Sequence, residues 1–349
     1  MNLWPMLNTL TEQLRAGTSL NVEQVAEAVS QMTAEDVTPE VKAEFLTALA
    51  EKGETTEELA AFAGELREMA TVVPLDETTR AGEILDVCGT GGDGLNTFNI
   101  STTVAILCAA AGVTVAKHGN RAITSKSGSA DVLEALGIPT DLSPDDATAA
   151  IAEHGFAFLF APLYHPAFKH IAPARKLCAE RGQRTLFNFL GPLLNPARPT
   201  AQLIGVPRAE LTEPMAKVLQ SLGIRRGMVV SGSVGNQRMD ELSTLGENTI
   251  AEFYQDRGFA TATLNPADLP LPDATLEELA GGDAETNADI IRAILSGTET
   301  GPKRAAVLLN AGAALFVADK ADTISTGMEL AGAVIDDGRA IKKLNSLAR

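Results

Sequence analysis

Four glycines lie close together where an apolar segment ends, at positions 89, 91, 92 and 94. Glycine allows positive φ and close backbone approach, so successive N–H groups can converge on an anion. A helical pattern begins after Thr97, and a helix N-terminus adds unsatisfied N–H donors. The segment therefore predicts a phosphate-binding loop, although it lacks the Gly-Lys-Ser/Thr of a P-loop and a clean dinucleotide fingerprint. The alternative is an ordinary tight turn.

A basic cluster follows a second apolar segment, residues 113–116, in a chain whose formal net charge is −17. Its members are Lys117, His118, Arg121 and Lys126, with glycine and serine beside them. Ligands of open α/β sheets bind at the carboxyl ends of strands. A glycine-rich strand end and a basic strand end together predict a pocket for a highly phosphorylated small molecule. The alternative is a solvated basic turn.

Seven segments closely resemble sequences of the anthranilate phosphoribosyltransferase family, and the resemblance extends over nearly the whole chain. The segments are Gly-Thr-Gly-Gly-Asp-Gly at 89–94, Thr-Phe-Asn-Ile-Ser-Thr at 97–102, Lys-His-Gly-Asn-Arg at 117–121, residues 127–137, 162–168 and 187–196, and the acidic pair Asp240-Glu241. The resemblance implies a reaction of tryptophan biosynthesis, in which the amine of anthranilate is joined to C1 of phosphoribosyl pyrophosphate and pyrophosphate is released. It also implies that catalysis depends on substrate positioning and on metal chemistry, with no side chain in a catalytic role.

For the phosphoribosyl pyrophosphate site, the resemblance implies the glycine-rich loop, the start of the next helix and part of the basic cluster. The implied residues are Gly89, Gly91, Gly92, Asp93, Thr97, Asn99, Ser101, Thr102, Lys117 and Ser129. Simple helix capping is the alternative for Ser101 and Thr102, and both roles can coexist.

For the metal, the resemblance implies Asp240, Glu241 and Ser101 as ligands of Mg²⁺, with two ions per subunit. Magnesium prefers few carboxylates together with phosphate oxygens and water, which suits this set. Adjacent carboxylates are also common on any acidic surface.

For anthranilate, the resemblance implies a site opposite the phosphates, formed by Gly89, His118, Asn120, Arg175, Gly191 and Pro192. A planar guanidinium suits bidentate recognition of a carboxylate, so Arg175 is expected to pair with it. The alternative is an arginine on a helix surface.

Two departures from the family pattern affect these assignments. The spacing from Arg175 to Arg184 is three residues longer than in the family, so Arg181 or Arg184 could take the role of Arg175. Ser231 stands where the family has histidine, and the loop 231–239 before the acidic pair is longer. These departures concern acceptor specificity and the metal loop, whereas the phosphate site follows the family pattern.

Two other functions are alternatives for this chain. Pyrimidine nucleoside phosphorylases have a Lys-x-Ser-x-Gly type phosphate motif, which the chain shows only as Lys126-Ser127-Gly128. A noncatalytic relative that binds nucleic acid would need a basic groove and a degraded glycine-rich loop. The loop is intact and the chain is acidic, which disfavours nucleic acid and anionic membranes as partners.

Composition agrees with a cytoplasmic protein. Three cysteines without paired spacing argue against disulfides and zinc sites, and no leader or spanning apolar segment is evident. The 349 residues are 45% hydrophobic, enough for a large core.

The expected fold is α/β: a small helical domain over residues 1–73 and a large domain over 74–349 with a mainly parallel sheet flanked by helices. Capping boxes at Asn21 and Thr55, and Thr38-Pro39, predict three helix starts in the small domain. The resemblance implies that 163–185 packs against this domain and that two copies form a homodimer through it. Strands are predicted at 84–88, 113–116, 156–160, 203–206 and 228–230, with helices at 99–111, 143–155, 209–222 and from 285 onward.

Overall fold

The computed structural model describes residues 5–122, 126–255 and 257–348. The predicted small domain thus begins with four residues outside the described part. The helices are α1 Pro5–Arg15, α2 Val22–Thr33, α3 Pro39–Lys52, α4 Thr56–Glu68, α5 Glu77–Ala81, α6 Ile100–Ala110, α7 Ser129–Ala135, α8 Pro144–His154, α9 Ala161–Tyr164, α10 Ala172–Glu180, α11 Thr212–Ser221, α12 Ala284–Leu295, α13 Pro302–Val317, α14 Ile324–Asp336 and α15 Arg339–Leu347. None of the helices within these ranges is long and apolar enough to cross a membrane.

The strands form one sheet in the order β3-β2-β1-β4-β5-β7-β8, with β6 paired to β5. They are β1 Ile84–Gly89, β2 Thr114–Gly119, β3 Phe156–Phe160, β4 Ala201–Gly205, β5 Arg226–Val234, β6 Gln237–Met239, β7 Asn248–Tyr254 and β8 Gly258–Leu264. The first five strands pair in parallel, and β6, β7 and β8 are antiparallel additions. The predicted mainly parallel sheet is confirmed.

The structure corrects the prediction for β2. The apolar pattern predicts that this strand ends at residue 116 and that the basic cluster follows it, whereas β2 continues to Gly119. Lys117 and His118 therefore lie on the strand and are buried. A buried lysine interrupts an apolar run, which is why the pattern ended too early.

The first four helices pack on one another and, through α4 and α11, on one face of the sheet. Their starts follow the predicted capping: Asn21 and Thr55 form capping boxes, whereas Thr38 precedes Pro39 without a side-chain cap. The other face is covered by α6 and α13. The central strands are thus buried on both sides, which explains their continuous apolar sequences.

Helix α10 contacts α3 of the helical region. The buried Lys42 ammonium donates to the carbonyl of Ala34 at 2.7 Å and to that of His170, just before α10, at 2.9 Å. The thiol of Cys178 on α10 lies 3.6 Å from the carbonyl oxygen of Ala43. These contacts hold α10 beside α3, while the division at residue 73 stays a prediction.

The buried carboxylate of Glu58 connects segments of the helical region. Glu58 accepts hydrogen bonds from the backbone of Leu20 at 2.8 Å and Thr55 at 2.9 Å, and from the Lys52 ammonium at 2.7 Å. The side chains of Glu58 and Lys52 are 0% and 6% exposed. All three neighbours are donors, so the site requires an acceptor on both carboxylate oxygens.

We predict that Glu58→Gln lowers the free energy of unfolding by about 3–5 kcal/mol, because an amide NH₂ would face donors in a buried site. Urea unfolding measures the loss. The matched control is Glu57→Gln, an exposed neighbour in the same helical turn. Equal stability of the two variants would contradict the assignment.

Candidate active site

The candidate site lies where β1 and β4 end side by side, with Gly89 opposite Gly205. The backbone carrying Asp240 crosses directly over both strand ends. A Cβ on Gly205 would lie 1.6 Å from the Asp240 carbonyl oxygen, and a Cβ on Gly89 would lie 2.2 Å from Asp240 Oδ2. Glycine at both positions therefore lets the acidic pair rest on the ends of the sheet.

The glycine-rich loop folds onto this acidic pair. Gly91, Gly92 and Gly94 have φ of 79°, 84° and 74°, a region that glycine adopts at little cost. The backbone N–H of Gly91 donates to Asp240 Oδ2 at 2.6 Å, and Asp93 accepts from the backbone of Leu95 at 3.1 Å. The loop and the acidic residues, far apart in sequence, thus form one unit.

Of the residues implied as metal ligands, Ser101 contacts Glu241, the neighbour of Asp240. Ser101, in the first turn of α6, donates its backbone N–H to Glu241 Oε1 at 3.2 Å. Burial raises the pKa of Glu241 to about 7, opposed by the positive charge of Lys117. Burial and the nearby charges of Asp93 and Glu241 raise the pKa of Asp240 well above its usual value.

This donor set fits a magnesium ion that keeps waters and binds substrate phosphates. Carboxylates crowded in a buried site repel one another, and a divalent cation would relieve that repulsion. Across the described ranges, no three histidine, cysteine or acidic side chains are clustered as a ready-made metal site. Asp240 and Glu241 supply only two acidic ligands and Ser101 a hydroxyl, which suits an ion that takes its other ligands from phosphate and water.

The remaining phosphate-site predictions fall at the start of α6. Thr102 is buried, and its hydroxyl has no hydrogen-bond partner in the part of the chain described. Thr97 is half-buried and pairs with Ala280 in an isolated bridge. The Asn99 side chain donates to the carbonyl of Ser127 at 3.2 Å and accepts from Asn287 at 2.8 Å. Asn99 therefore joins the α6 start to the loop before α7.

The predicted basic residues have different surroundings. Lys117 is fully buried and its ammonium donates to the carbonyl of Val87 on β1 at 2.6 Å. Ser129, at the start of α7, lies next to the end of β2: a Cβ on Gly119 would be 3.2 Å from the Ser129 Cβ. Arg121, by contrast, pairs with acidic side chains of α7, so its charge is already balanced.

Five side chains form a row on the side of the site predicted for anthranilate. The rings of His118 and His165 are 5.1 Å apart, and His165 stacks on Phe168 at 5.1 Å. Phe168 meets Phe187 at 5.7 Å, and the Arg175 guanidinium lies over the Phe187 ring at 5.3 Å. The row joins the end of β2 to α10. The sequence patterns assign no role to His165, Phe168 and Phe187. All three nevertheless lie in segments that resemble the family, 162–168 and 187–196.

Both histidines of this row are held neutral. Burial lowers the pKa of His118 to about 3 and that of His165 to about 4. His118 and His165 hydrogen-bond the backbone of Gly191 and Leu194, respectively. The Nε2 atom of each ring is buried without a partner among the described residues. Two ring nitrogens are thus available as hydrogen-bond acceptors.

Three other residues predicted for the anthranilate site lie in two segments of the chain. Gly191 and Pro192 belong to a 3₁₀ turn over Gly191–Leu194, whose backbone binds both histidines. Asn120 is exposed just after β2, and its carbonyl Oδ1 accepts from the backbone of Arg121 at 2.8 Å.

Arg175 is half-buried, and no carboxylate pairs with it in the described residues. Burial lowers its pKa from the usual value. Helix α10 ends at Glu180 and a turn follows at Gly182, while Arg181 and Arg184 are exposed. The longer spacing therefore leaves Arg175 beside the aromatic row.

The unusual loop 231–239 forms the β5–β6 hairpin. Ser231 is buried on β5, and Arg238 of β6 donates to the Ser231 carbonyl at 3.2 Å and to the Thr249 hydroxyl at 3.3 Å. The acidic pair directly follows this hairpin, and the bond from Arg238 to Thr249 connects the hairpin to β7. Its length is thus accommodated by extra antiparallel pairing at the sheet.

Comparisons with known proteins agree with this architecture. Residues 81–341 match the model of the glycosyl transferase family, a/b domain, and residues 8–70 match the glycosyl transferase family, helical bundle domain. The chain is 46% identical to the anthranilate phosphoribosyltransferase of Dehalococcoides mccartyi (strain ATCC BAA-2266 / KCTC 15142 / 195), covering 99% of this chain and 98% of the relative. It is 48% identical to that of Moorella thermoacetica, covering 98% and 97%.

Solved structures are similar over the whole chain. The anthranilate phosphoribosyltransferase of Thermus thermophilus aligns with a TM-score of 0.87 at 42% identity, covering 97% of this chain and 98% of that one. The Saccharomyces cerevisiae enzyme in complex with PRPP and Mg aligns with a TM-score of 0.85 at 28% identity, covering 98% and 96%.

Proposed function

The chain belongs to the anthranilate phosphoribosyltransferase family, and we propose that it transfers the phosphoribosyl group of phosphoribosyl pyrophosphate to the amine of anthranilate. The products are N-(5-phosphoribosyl)anthranilate and pyrophosphate, a step of tryptophan biosynthesis. One observation carries the proposal: the glycine-rich loop and the acidic pair meet at a single sheet edge through the bond from Gly91 to Asp240.

The phosphate side supplies fixed dipoles and a local charge. Backbone N–H groups of the loop from Gly89 and of the α6 start suit phosphate oxygens. Lys117 adds a positive charge beside them, which an acidic chain needs to attract a polyanion. These groups orient the donor so that C1 of the ribose faces the acceptor side.

The acceptor side is aromatic and neutral. The unpartnered Nε2 atoms of His118 and His165 would accept hydrogen bonds from the aromatic amine, and the Arg175 guanidinium would receive the carboxylate. The nitrogen–C1 bond forms as the bond from C1 to pyrophosphate oxygen breaks, and the amine proton passes to the departing pyrophosphate or to water. An aromatic amine is neutral and nucleophilic at pH 7, so we assign no side chain as general base.

Magnesium is proposed as the cofactor, held by Asp240, Glu241 and Ser101, with two ions per subunit. Bound there, the metal would neutralise charge on the departing pyrophosphate. The Saccharomyces cerevisiae relative described with PRPP and Mg supports this choice. The cytoplasmic location remains a prediction from the sequence.

We predict that the protein consumes anthranilate only when phosphoribosyl pyrophosphate and a divalent metal are both present. Loss of anthranilate fluorescence measures the reaction. Replacing Asp240 and Glu241 together by alanine should lower turnover by roughly 10²-fold or more, since a bound metal supplies several kcal/mol. The control is the exposed acidic pair Glu277 and Glu278, changed likewise.

Two results would contradict this assignment. Undiminished activity in excess chelator would remove the metal from the reaction. Near-normal turnover of the Asp240/Glu241 variant at saturating magnesium would remove these carboxylates from the site, whereas a matching loss in the Glu277/Glu278 control would point to general damage.

We predict that Arg175→Ala weakens the apparent affinity for anthranilate by roughly 10- to 150-fold, because a charge-assisted hydrogen bond contributes about 1.5–3 kcal/mol. The KM for phosphoribosyl pyrophosphate should stay nearly constant. Steady-state kinetics of the single variants Arg181→Ala and Arg184→Ala are the matched controls. If either control shows the larger anthranilate effect, that arginine replaces Arg175 in the assignment.

We also propose a two-fold homodimer through the N-terminal helices. Met6, Val22, Met69 and Val72 of this region are between 43% and 61% exposed, so apolar side chains remain uncovered in one copy. Light scattering at micromolar concentration should give the mass of a dimer. A monomer mass at that concentration would contradict the proposal.

A further inference from the structure

We propose that Asp86 is a positioning residue for the acceptor side of the site: it fixes the 191–195 turn against His118 without touching a substrate. The inference rests on the proposed function, because it concerns the pocket assigned to anthranilate. The evidence for it is a hydrogen-bond network centred on one buried carboxylate.

Asp86 lies on the central strand β1 and is fully buried. Its Oδ1 accepts from the backbone N–H of His118 on β2 at 3.3 Å. Its Oδ2 accepts from the Asn195 amide at 2.8 Å and from the Gln202 amide on β4 at 3.4 Å. All three neighbours are donors, so both carboxylate oxygens are used.

Two of these donors, Gln202 and Asn195, make second hydrogen bonds that connect the turn with the strands. The Gln202 amide also donates to the carbonyl of Pro192 at 3.0 Å. The Asn195 amide donates to the carbonyl of Ala116 on β2 at 2.7 Å, just before the acceptor-site strand end. Asp86 thereby joins three neighbouring strands to the turn.

The turn in turn fixes the row of aromatic side chains. Its backbone hydrogen-bonds the rings of His118 and His165, and these bonds determine which ring nitrogen is left for a ligand. Displacing the turn by a fraction of an ångström would therefore rotate both imidazoles. Small displacements of this kind reduce productive binding steeply.

Burying the Asp86 carboxylate at this position also costs free energy of folding. A buried ionised group is unfavourable unless it is paired, and the charged neighbour that stabilises Asp86 is Lys117. Burial raises the pKa of Asp86 to about 6. Its three hydrogen-bonding neighbours are all donors, which suits an ionised carboxylate. An apolar residue would suit the core of β1 better, and the cost agrees with a role in the site.

The test is the isosteric variant Asp86→Asn. Asparagine keeps one acceptor oxygen and turns an NH₂ group toward donors, so the turn should shift. The KM for anthranilate should rise by about tenfold or more, the loss expected when a buried polar contact is mispaired. The KM for phosphoribosyl pyrophosphate should stay constant or fall, because removing a negative charge near Lys117 favours a polyanion.

Glu58→Gln is the matched control, since it makes the same change at an equally buried carboxylate that bonds Leu20, Lys52 and Thr55 rather than the 191–195 turn. It should lose stability without changing either KM. Gln202→Met is the second variant: it keeps Asp86 but removes the link to Pro192, and its anthranilate KM should rise by a smaller factor. This variant decides the question if Asp86→Asn does not fold.

An unchanged anthranilate KM in Asp86→Asn would overturn the inference. An equal rise in both KM values would also overturn it, because it indicates general loss of structure. If Asp86→Asn does not fold, an unchanged anthranilate KM in Gln202→Met would overturn the inference. An inactive, folded wild-type protein would overturn the proposed function instead, so the two failures are distinguishable.

Discussion

The contact between the glycine-rich loop and the acidic pair is the constraint on which the site depends. Asp240 crosses the ends of β1 and β4 so closely that only glycine fits at positions 89 and 205. The same closeness lets Gly91 bond Asp240 and lets the start of α6 bond Glu241. Burial of these neighbouring carboxylates raises their pKa values. A divalent cation bound together with a phosphorylated substrate would lower these pKa values again.

The site is divided by polarity as well as by position. Backbone dipoles, the buried Lys117 and the acidic pair form the side suited to phosphates and metal, in a chain of net charge −17. The row from His118 to Arg175 forms a side that is neutral except at its far end. Such a division suits a reaction in which a neutral aromatic amine displaces a highly charged leaving group.

Sequence patterns predicted the parallel strands well, because strands buried on both faces are continuous apolar segments. They missed the antiparallel strands β6, β7 and β8, and the side chains of β8 are mostly exposed and show no apolar run. They also missed Asp86, since one polar residue inside an apolar strand gives no periodic signal. The phosphate loop and acidic pair are evident in sequence, whereas their contact, like the stacking of His165 on Phe168, arises only from tertiary packing.

Calorimetric titration of phosphoribosyl pyrophosphate, with and without magnesium, tests the central claim most directly. If the acidic pair and the glycine-rich loop bind the donor as one unit, the wild-type protein should bind it at least about tenfold more tightly with magnesium. Replacing Asp240 and Glu241 by alanine should abolish that difference while binding without metal persists. Equal affinity of the wild-type protein in both conditions would contradict the account.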